Sequence, residues 1–244
     1  KIDTSLIGFN KIMGLEGVGM VIDQRGLLWG CTGFHNGGLF SIAPNEAGVH
    51  QYLHDPNNPN SPLENDIRYL MTDRKGIIWL ANRHSVSCFD PVNELFTHYK
   101  HDPNDSTSLS YTEVFTLFED RDGYIWIGGM EFNGLPTLDR LDPSTGKIIR
   151  TEIPLNYQGG WINNISQSKQ GDIYFLIKNK ILAVIFYEQI SRENVSETWH
   201  SFMDTTFQNA NNLIADDQGI FWLTTNDGKI LRLDPETQSL IEFQ

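Results

Sequence analysis

Cysteine is scarce in this chain, basic residues are outnumbered, and long apolar runs are missing. The two cysteines, Cys31 and Cys88, lie far apart and outside any CxxC pattern. That excludes a zinc knuckle and a disulfide framework, and leaves two buried free thiols as the expectation. Lysine and arginine number 18 against 31 aspartates and glutamates, a formal net charge of −13. Such a balance argues against a basic patch for nucleic acid or for an anionic membrane surface. It suits solubility, and leaves a cation as the sharper kind of ligand or partner. The longest apolar run, residues 181–187, has only the length of a strand, so no segment is expected to insert directly in a membrane. The chain opens at Lys1 without an initiator Met or a signal peptide, which is expected of a piece of a longer protein.

The common signatures of chemistry are also missing. There is no GxxxxGK[ST], no GxSxG and no HExxH. The stretch from Gly14 to Gly19, "GLEGVG", does not fit GxGxxG, and "DRDG" and "TNDG" are turns without the later ligands of a calcium loop. No catalytic residue, no metal and no cofactor is therefore expected. His54 and His101 sit at equivalent places, and shared ancestry explains the pair better than a metal bridge does.

What the chain does have is a repeat. Glycine recurs at Gly26 in "DQRGLLW", Gly76 in "DRKGIIW", Gly123 in "DRDGYIW", Gly171 in "SKQGDIY" and Gly219 in "DDQGIFW". An aromatic follows three residues later each time, as Trp29, Trp79, Trp126, Tyr174 and Trp222. A second marker follows, "CFDP" ending at Pro91 and "RLDP" at Pro143 and Pro235. A period of this length must be settled before any other reading. Each unit reads as four short strands. In the second these are "IRYLMTD", "IIWLAN", "SVSCFDP" and "LFTHYKH", with "DRKG" a tight turn and a long polar loop leading onward. Four strands per unit of some 40–50 residues make an all-β chain, a β-propeller of four-stranded blades. The blades are expected at about residues 13–54, 62–101, 110–153, 160–203 and 208–244. They form a single propeller domain, closed as a five-bladed ring, or a fragment of a larger ring. The repeated Asp is expected to accept backbone N–H bonds in the turn, and the Trp to fill the wedge between blades. The fourth unit departs, with Ser168 and Tyr174 at those positions.

In a four-stranded blade the loops joining strands two and three emerge on the same side as the links between blades, opposite the Asp-x-x-Gly turns. That side collects His35 and Asn36 from "GFHNG", Asn82, Arg83 and His84 from "NRH", Glu131 and Asn133 from "MEFNG", "KNK" at 178–180, and Asn226 and Asp227 from "NDG". It also collects the long linkers around residues 57–65, 104–112, 156–161 and 205–211, with Trp161 after "QGG". Amides, acids, imidazoles and aromatics suit hydrogen bonding and stacking to a polar ligand such as a sugar or oligosaccharide, so these are the candidate ligand-binding residues.

At "FTHYKHDPNDSTSLSYTEVFTLFEDRDGYIWIGG" the chain resembles the two-component-regulator propeller repeat of bacterial hybrid histidine kinases and some diguanylate cyclase receptors. The matching elements are the HDPN linker, Asp120, Gly123 and Trp126, and "RLDP". The resemblance implies a periplasmic, noncatalytic sensor module of an inner-membrane receptor, in rings commonly of seven blades. It also implies a polar or carbohydrate ligand, adjoining signalling domains as partners, and a homodimer. A propeller enzyme resembling streptogramin lyase, built around His35, His84 and Glu131, and a protein-interaction scaffold are the alternatives.

Overall fold

The structure is a computed structural model that describes residues 19–32, 37–44, 48–110, 112–151, 153, 159–177, 181–185, 199–202, 207 and 209–243. These fall into two compact units, within Lys1–Asp102 and Pro103–Gln244. The first contains β1 (Gly19–Ile22), β2 (Leu28–Thr32), β3 (Gly38–Ile42) and β4 (His50–Tyr52), then β5 (Ile67–Thr72), β6 (Ile78–Asn82), β7 (Ser85–Asp90) and β8 (Leu95–Lys100). The second contains β9 (Thr112–Glu119), β10 (Ile125–Glu131), β11 (Pro136–Leu141) and β12 (Ile148–Thr151). It continues with β13 (Ile162–Gln167), β14 (Ile173–Ile177), β15 (Ile181–Ile185) and β16 (Trp199–Phe202), then β17 (Ala210–Ala215), β18 (Phe221–Thr225), β19 (Ile230–Asp234) and β20 (Ser239–Phe243). Each consecutive four make one antiparallel meander, so the described strands form five four-stranded sheets. These are the blades of a β-propeller, as the repeat foretold.

The Asp-x-x-Gly-x-x-Trp motif closes the first hairpin of a sheet with one carboxylate. Oδ1 of Asp73 accepts the backbone N–H of Lys75 and of Ile77, each at 2.9 Å, while Oδ2 accepts the indole N–H of Trp79 at 2.9 Å. Asp23 does the same with Arg25, Leu27 and Trp29, Asp120 with Asp122, Tyr124 and Trp126, and Asp216 with Gln218, Ile220 and Trp222. The marker glycines take φ of +81° to +102°, a conformation that costs a side chain free energy. The backbone bonds to the Asp were expected. The indole bond was not, and it joins turn and wedge into one clamp.

The rings of Trp29 and Trp126 pack into the sheet that follows within their unit, whereas Trp79 stacks on Tyr99 and Trp222 on Phe243 of their own sheets. Trp29 lies against Ile67, Leu70, Ile78, Leu80 and Phe89, and Trp126 against Ile162, Ile165, Ile173 and Phe175. A buried ring of this size removes roughly 150–250 Å² from water, which is worth roughly 4–6 kcal/mol. Gly128 permits a close approach of the next sheet, since a Cβ there would stand 2.6 Å from Cγ2 of Ile162. In the fourth sheet the clamp is reduced. Ser168 keeps the backbone turn and accepts the N–H of Asp172 through Oγ at 3.1 Å, and Tyr174 is buried against Phe221 with ring centroids 4.4 Å apart. Both cysteines are free, and burial pushes the Cys31 thiol up to about 12 and the Cys88 thiol to about 11, as inert packing groups.

Candidate functional site

The first strand of four sheets carries a β-bulge at one repeat position, eight residues before the marker glycine. Register breaks between Ile67 and Tyr69, Gly128 and Gly129, Ile162 and Asn164, and Ala210 and Asn212. The extra residues are therefore Arg68, Phe115, Asn163 and Asn211. A bulge re-aims its side chain and often lies beside a site. The position carries Arg, Phe, Asn and Asn in turn, so unlike the clamp it holds no fixed residue type for the sequence to reveal.

In the second unit the bulges gather with several of the expected loop residues. Trp161, half-buried just before β13, meets Phe115 with ring centroids 5.9 Å apart and planes 38° from parallel. Asn163 donates Nδ2–H to the carbonyl of Asn211 at 2.9 Å, while its Oδ1 is buried without a donor among the described residues. Asn211 donates to Oδ1 of Asn226 at 2.9 Å and accepts from Thr224 Oγ1 at 2.6 Å. Asn164 and Asn212 are joined at 2.7 Å. The result is a chain of amides beside an aromatic pair, with one buried acceptor unfilled. Asp227 is exposed, 3.8 Å from Lys229 Nζ, and the Thr225 hydroxyl first, with the Lys229 charge a lesser cause, holds its carboxyl below the usual range. Glu131 and Asn133 are joined to each other, Nδ2 to Oε2 at 2.6 Å, and Oδ1 of Asn133 accepts the N–H of Leu135 and closes the β10–β11 hairpin.

In the first unit Asn82 is wholly buried rather than facing solvent. Its two amide hydrogens go to Ser85 Oγ at 2.9 Å and Ser87 Oγ at 2.8 Å. Ser85 then donates to Oε1 of Glu64 at 2.8 Å, and Ser87 Oγ is hydrogen-bonded to Nδ1 of His98, 2.9 Å away. The ring donates to the backbone of Pro59 and Ser61, which in neutral His98 places the proton on Nε2 and leaves Nδ1 to accept from Ser87. Burial, with the charge of Lys100, depresses the His98 pKa. Arg83 is exposed, and Nδ1 of half-exposed His84 stands 4.0 Å from Glu64. Arg68 lies 3.7 Å from Asp66. His35, Asn36 and residues 178–180 lie outside the described residues. No group of three or more His, Cys, Asp or Glu that could hold a metal occurs among the described residues.

The linkers differ from the expectation that they are open loops. Residues 55–62 and 103–110 are straps folded on themselves. Asn58 caps Asn60 N–H, Asp105 caps Thr107 N–H, and the hydroxyls of Ser61 and Ser108 donate to the carbonyls of Asn58 and Asp105. These capping groups close the straps' own turns, while Asn60 donates to the Glu94 carbonyl and accepts the N–H of Phe96.

Residues 108–131, which span Phe115 and the Asp120 clamp, match the family described as two component regulator propeller. The chain carries that family's repeat. Among solved structures, this chain is similar to the extracellular domain of a protein of B. thetaiotaomicron described as a hybrid two component system. The identity is 18% and the TM-score 0.55, over 92% of this chain and 36% of that one. The chain thus spans about a third of the length of that domain. It is also similar to a calcium-binding protein, regucalcin, of Agrobacterium tumefaciens, at 14% identity and TM-score 0.63 over 93% and 74% of the two chains. A luciferin-regenerating enzyme follows at 12% identity and TM-score 0.62, over 93% and 76%. Identities this low carry the fold alone. No curated protein sequence matches the chain.

Proposed function

We propose that this chain is a noncatalytic, extracytoplasmic sensing module of a membrane-bound signal-transduction receptor of the two-component type. The repeat at residues 108–131 supports the receptor class. The ligand is a carbohydrate or another polar, polyhydroxylated molecule. The observation that carries it is the pairing of the Phe115–Trp161 rings with the unfilled buried acceptor on Asn163, two residues from Trp161. Aromatic faces suit the C–H faces of a sugar ring, and an unfilled acceptor suits its hydroxyls. Exposed Asp227 and Arg83 stand at the loop ends, and the adjoining domains of the receptor, in a periplasmic homodimer, read the bound state.

The experiment is a thermal-shift and calorimetric screen of neutral oligosaccharides on the intact chain. A ligand present at a hundred times its dissociation constant adds about 2.7 kcal/mol of stability. Trp161→Ala and Asn163→Ala should each weaken a hit at least tenfold without unfolding the protein. Hits that both variants bind as well as the parent remove this site, and a screen without hits removes the ligand class. Structural likeness to a luciferin-regenerating enzyme supports a second reading, a propeller enzyme, and chemical turnover of the bound compound would establish it.

A further inference from the structure

The first unit holds a cavity at the end opposite its loop residues, where the Asp-x-x-Gly turn of the first sheet meets the β7–β8 turn of the second. Its volume is about 230 Å³. That is below the roughly 300–1,000 Å³ of drug-sized sites, and suits a molecule of amino-acid size. One wall is apolar, with Leu27, Ala43 and Pro91 beside the edge of Trp29. Two charged side chains of opposite sign face the cavity from different sheets, Arg25 and Glu94.

These two charges do not neutralise one another. Arg25 spends Nε and Nη2 on Oδ2 of Asp23, at 3.2 and 3.0 Å, and donates from Nη1 to the carbonyl of Pro91 at 3.3 Å. A guanidinium has five N–H groups, so two remain. The Glu94 carboxylate accepts no hydrogen bond among the described residues. Its charge is felt by the phenol of Tyr52, which burial first and Glu94 second push upward, and which is hydrogen-bonded to Ser41. Tyr52, Ser41 and His50 complete a polar side along the cavity. Arg25 is already ion-paired with Asp23 at 3.0 Å, so what stays unmet along the cavity is two guanidinium N–H groups and the Glu94 carboxylate, and a ligand that carries both a carboxylate and an ammonium meets them together.

We propose that this cavity binds a small zwitterion, a free α-amino acid with an apolar side chain. The carboxylate takes the two spare guanidinium hydrogens, a charge-assisted pair. The ammonium lies among the Glu94 carboxylate and the Tyr52 and Ser41 oxygens, and the side chain covers Leu27, Ala43 and Pro91. The site is independent of the loop-end ligand, because first-hairpin turns and second-hairpin loops lie at opposite ends of the strands.

Calorimetry on the intact chain tests this with three probes. L-leucine carries both charges, isovalerate the carboxylate alone and isoamylamine the ammonium alone. Leucine should bind at least tenfold more tightly than either half. Glu94→Gln should reduce leucine binding to the isovalerate level and leave isovalerate unchanged. Arg25→Gln should do the converse, and its fold is checked by the melting transition, since Asp23 keeps the N–H groups of Leu27 and Trp29. Should Arg25→Gln fail to fold, the Glu94→Gln result decides alone. The proposal is overturned by absence of leucine binding up to about 10 mM, by halves that bind as well as the whole, or by Glu94→Gln leaving leucine affinity intact.

Discussion

The strap at residues 55–62 reads "DPNNPNSP" and the strap at 103–110 reads "PNDSTSLS", and both close through the same Asx turn and the same serine. Beneath them the chemistry differs. Ser87 and His98 face one another across β7 and β8, and at the equivalent register across β11 and β12 stand Asp139 and Arg150. His98 hydrogen-bonds to the backbone of Pro59 and Ser61 as a neutral ring. Arg150 donates to the carbonyls of Ser108, Asp105 and Leu109 and to Ser108 Oγ, at 2.9–3.2 Å. Asp139, fully buried, accepts the N–H and the hydroxyl of Ser110 at 2.8 and 2.7 Å. One backbone solution therefore tolerates two anchors, provided each supplies donors to the strap's carbonyls.

Deleting each anchor separates them most. Arg150→Ala removes four hydrogen bonds and a charge that favours the buried Asp139 carboxylate, and should cost about 3–4 kcal/mol. His98→Ala should cost about 1–2 kcal/mol, for the shared ring N–H to the Pro59 and Ser61 backbone, the bond to Ser87 and the stacking on Phe96. Urea unfolding measures both. Equal losses would mean that the strap's own turns hold it and the anchors are incidental.

The clamp offers a parallel contrast within the second unit. Asp120→Ala leaves two backbone N–H groups and the buried indole of Trp126 without an acceptor, and should cost about 3 kcal/mol. Ser168→Ala removes one bond to the N–H of Asp172 and should cost about 1 kcal/mol. A loss at Ser168 as large as at Asp120 would show that the turn matters and the indole bond does not.

Acid should act on the two anchors with opposite sign. Burial raises Asp139 to about 6 from 3.8, so the folded state binds the proton first, and stability gains about 1.4 kcal/mol between pH 7 and pH 5. Glu131 adds to that rise and Arg150 opposes it. His98 is depressed, so its contribution is present above 6.5 and is lost as pH falls through that region. Asp139→Asn should abolish the acid gain and expose the loss due to His98. An unchanged pH profile in that variant would place the titration elsewhere. The turn carboxylates held low by hydrogen bonds, Asp90, Asp142 and Asp216, should withdraw their share of stability as pH falls through the acid range and they protonate.

These contrasts also show what the sequence makes legible. Glycine at positive φ and a large buried ring are demands that few residues meet, so they recur in phase and reveal the propeller. The four-strand reading of the second sequence repeat holds at β5–β8, because alternating β-branched and aromatic residues end at turn formers. The bulged positions carry no such demand. Arg68, Phe115, Asn163 and Asn211 are aimed by a backbone irregularity that leaves no fixed residue type, so only the register shows them. Asn82 was read as a loop residue because it ends a strand, yet its partners Ser85 and Ser87 draw it inward. Linkers rich in Asn and Ser look solvated, and hydrogen bonds within the strap are invisible to composition.

The smallest contrast lies in the turns that follow the "DP" markers. Asp90, Asp142 and Asp234 each accept the N–H two residues on. Each turn then needs one residue at positive φ, supplied by Glu94 at 55°, Gly146 at 74° and Gln238 at 56°. A side chain there costs about 1 kcal/mol or more, partly offset because glycine loses more freedom on folding. Gln238→Gly should therefore stabilise the protein by up to about 1 kcal/mol, and Gly146→Gln should destabilise it by a similar amount. Thermal melts of the two variants measure both. Opposite shifts of like size would show that the three turns share one geometry, whereas loss at Gln238→Gly would mean that its side chain makes contacts outweighing the strain.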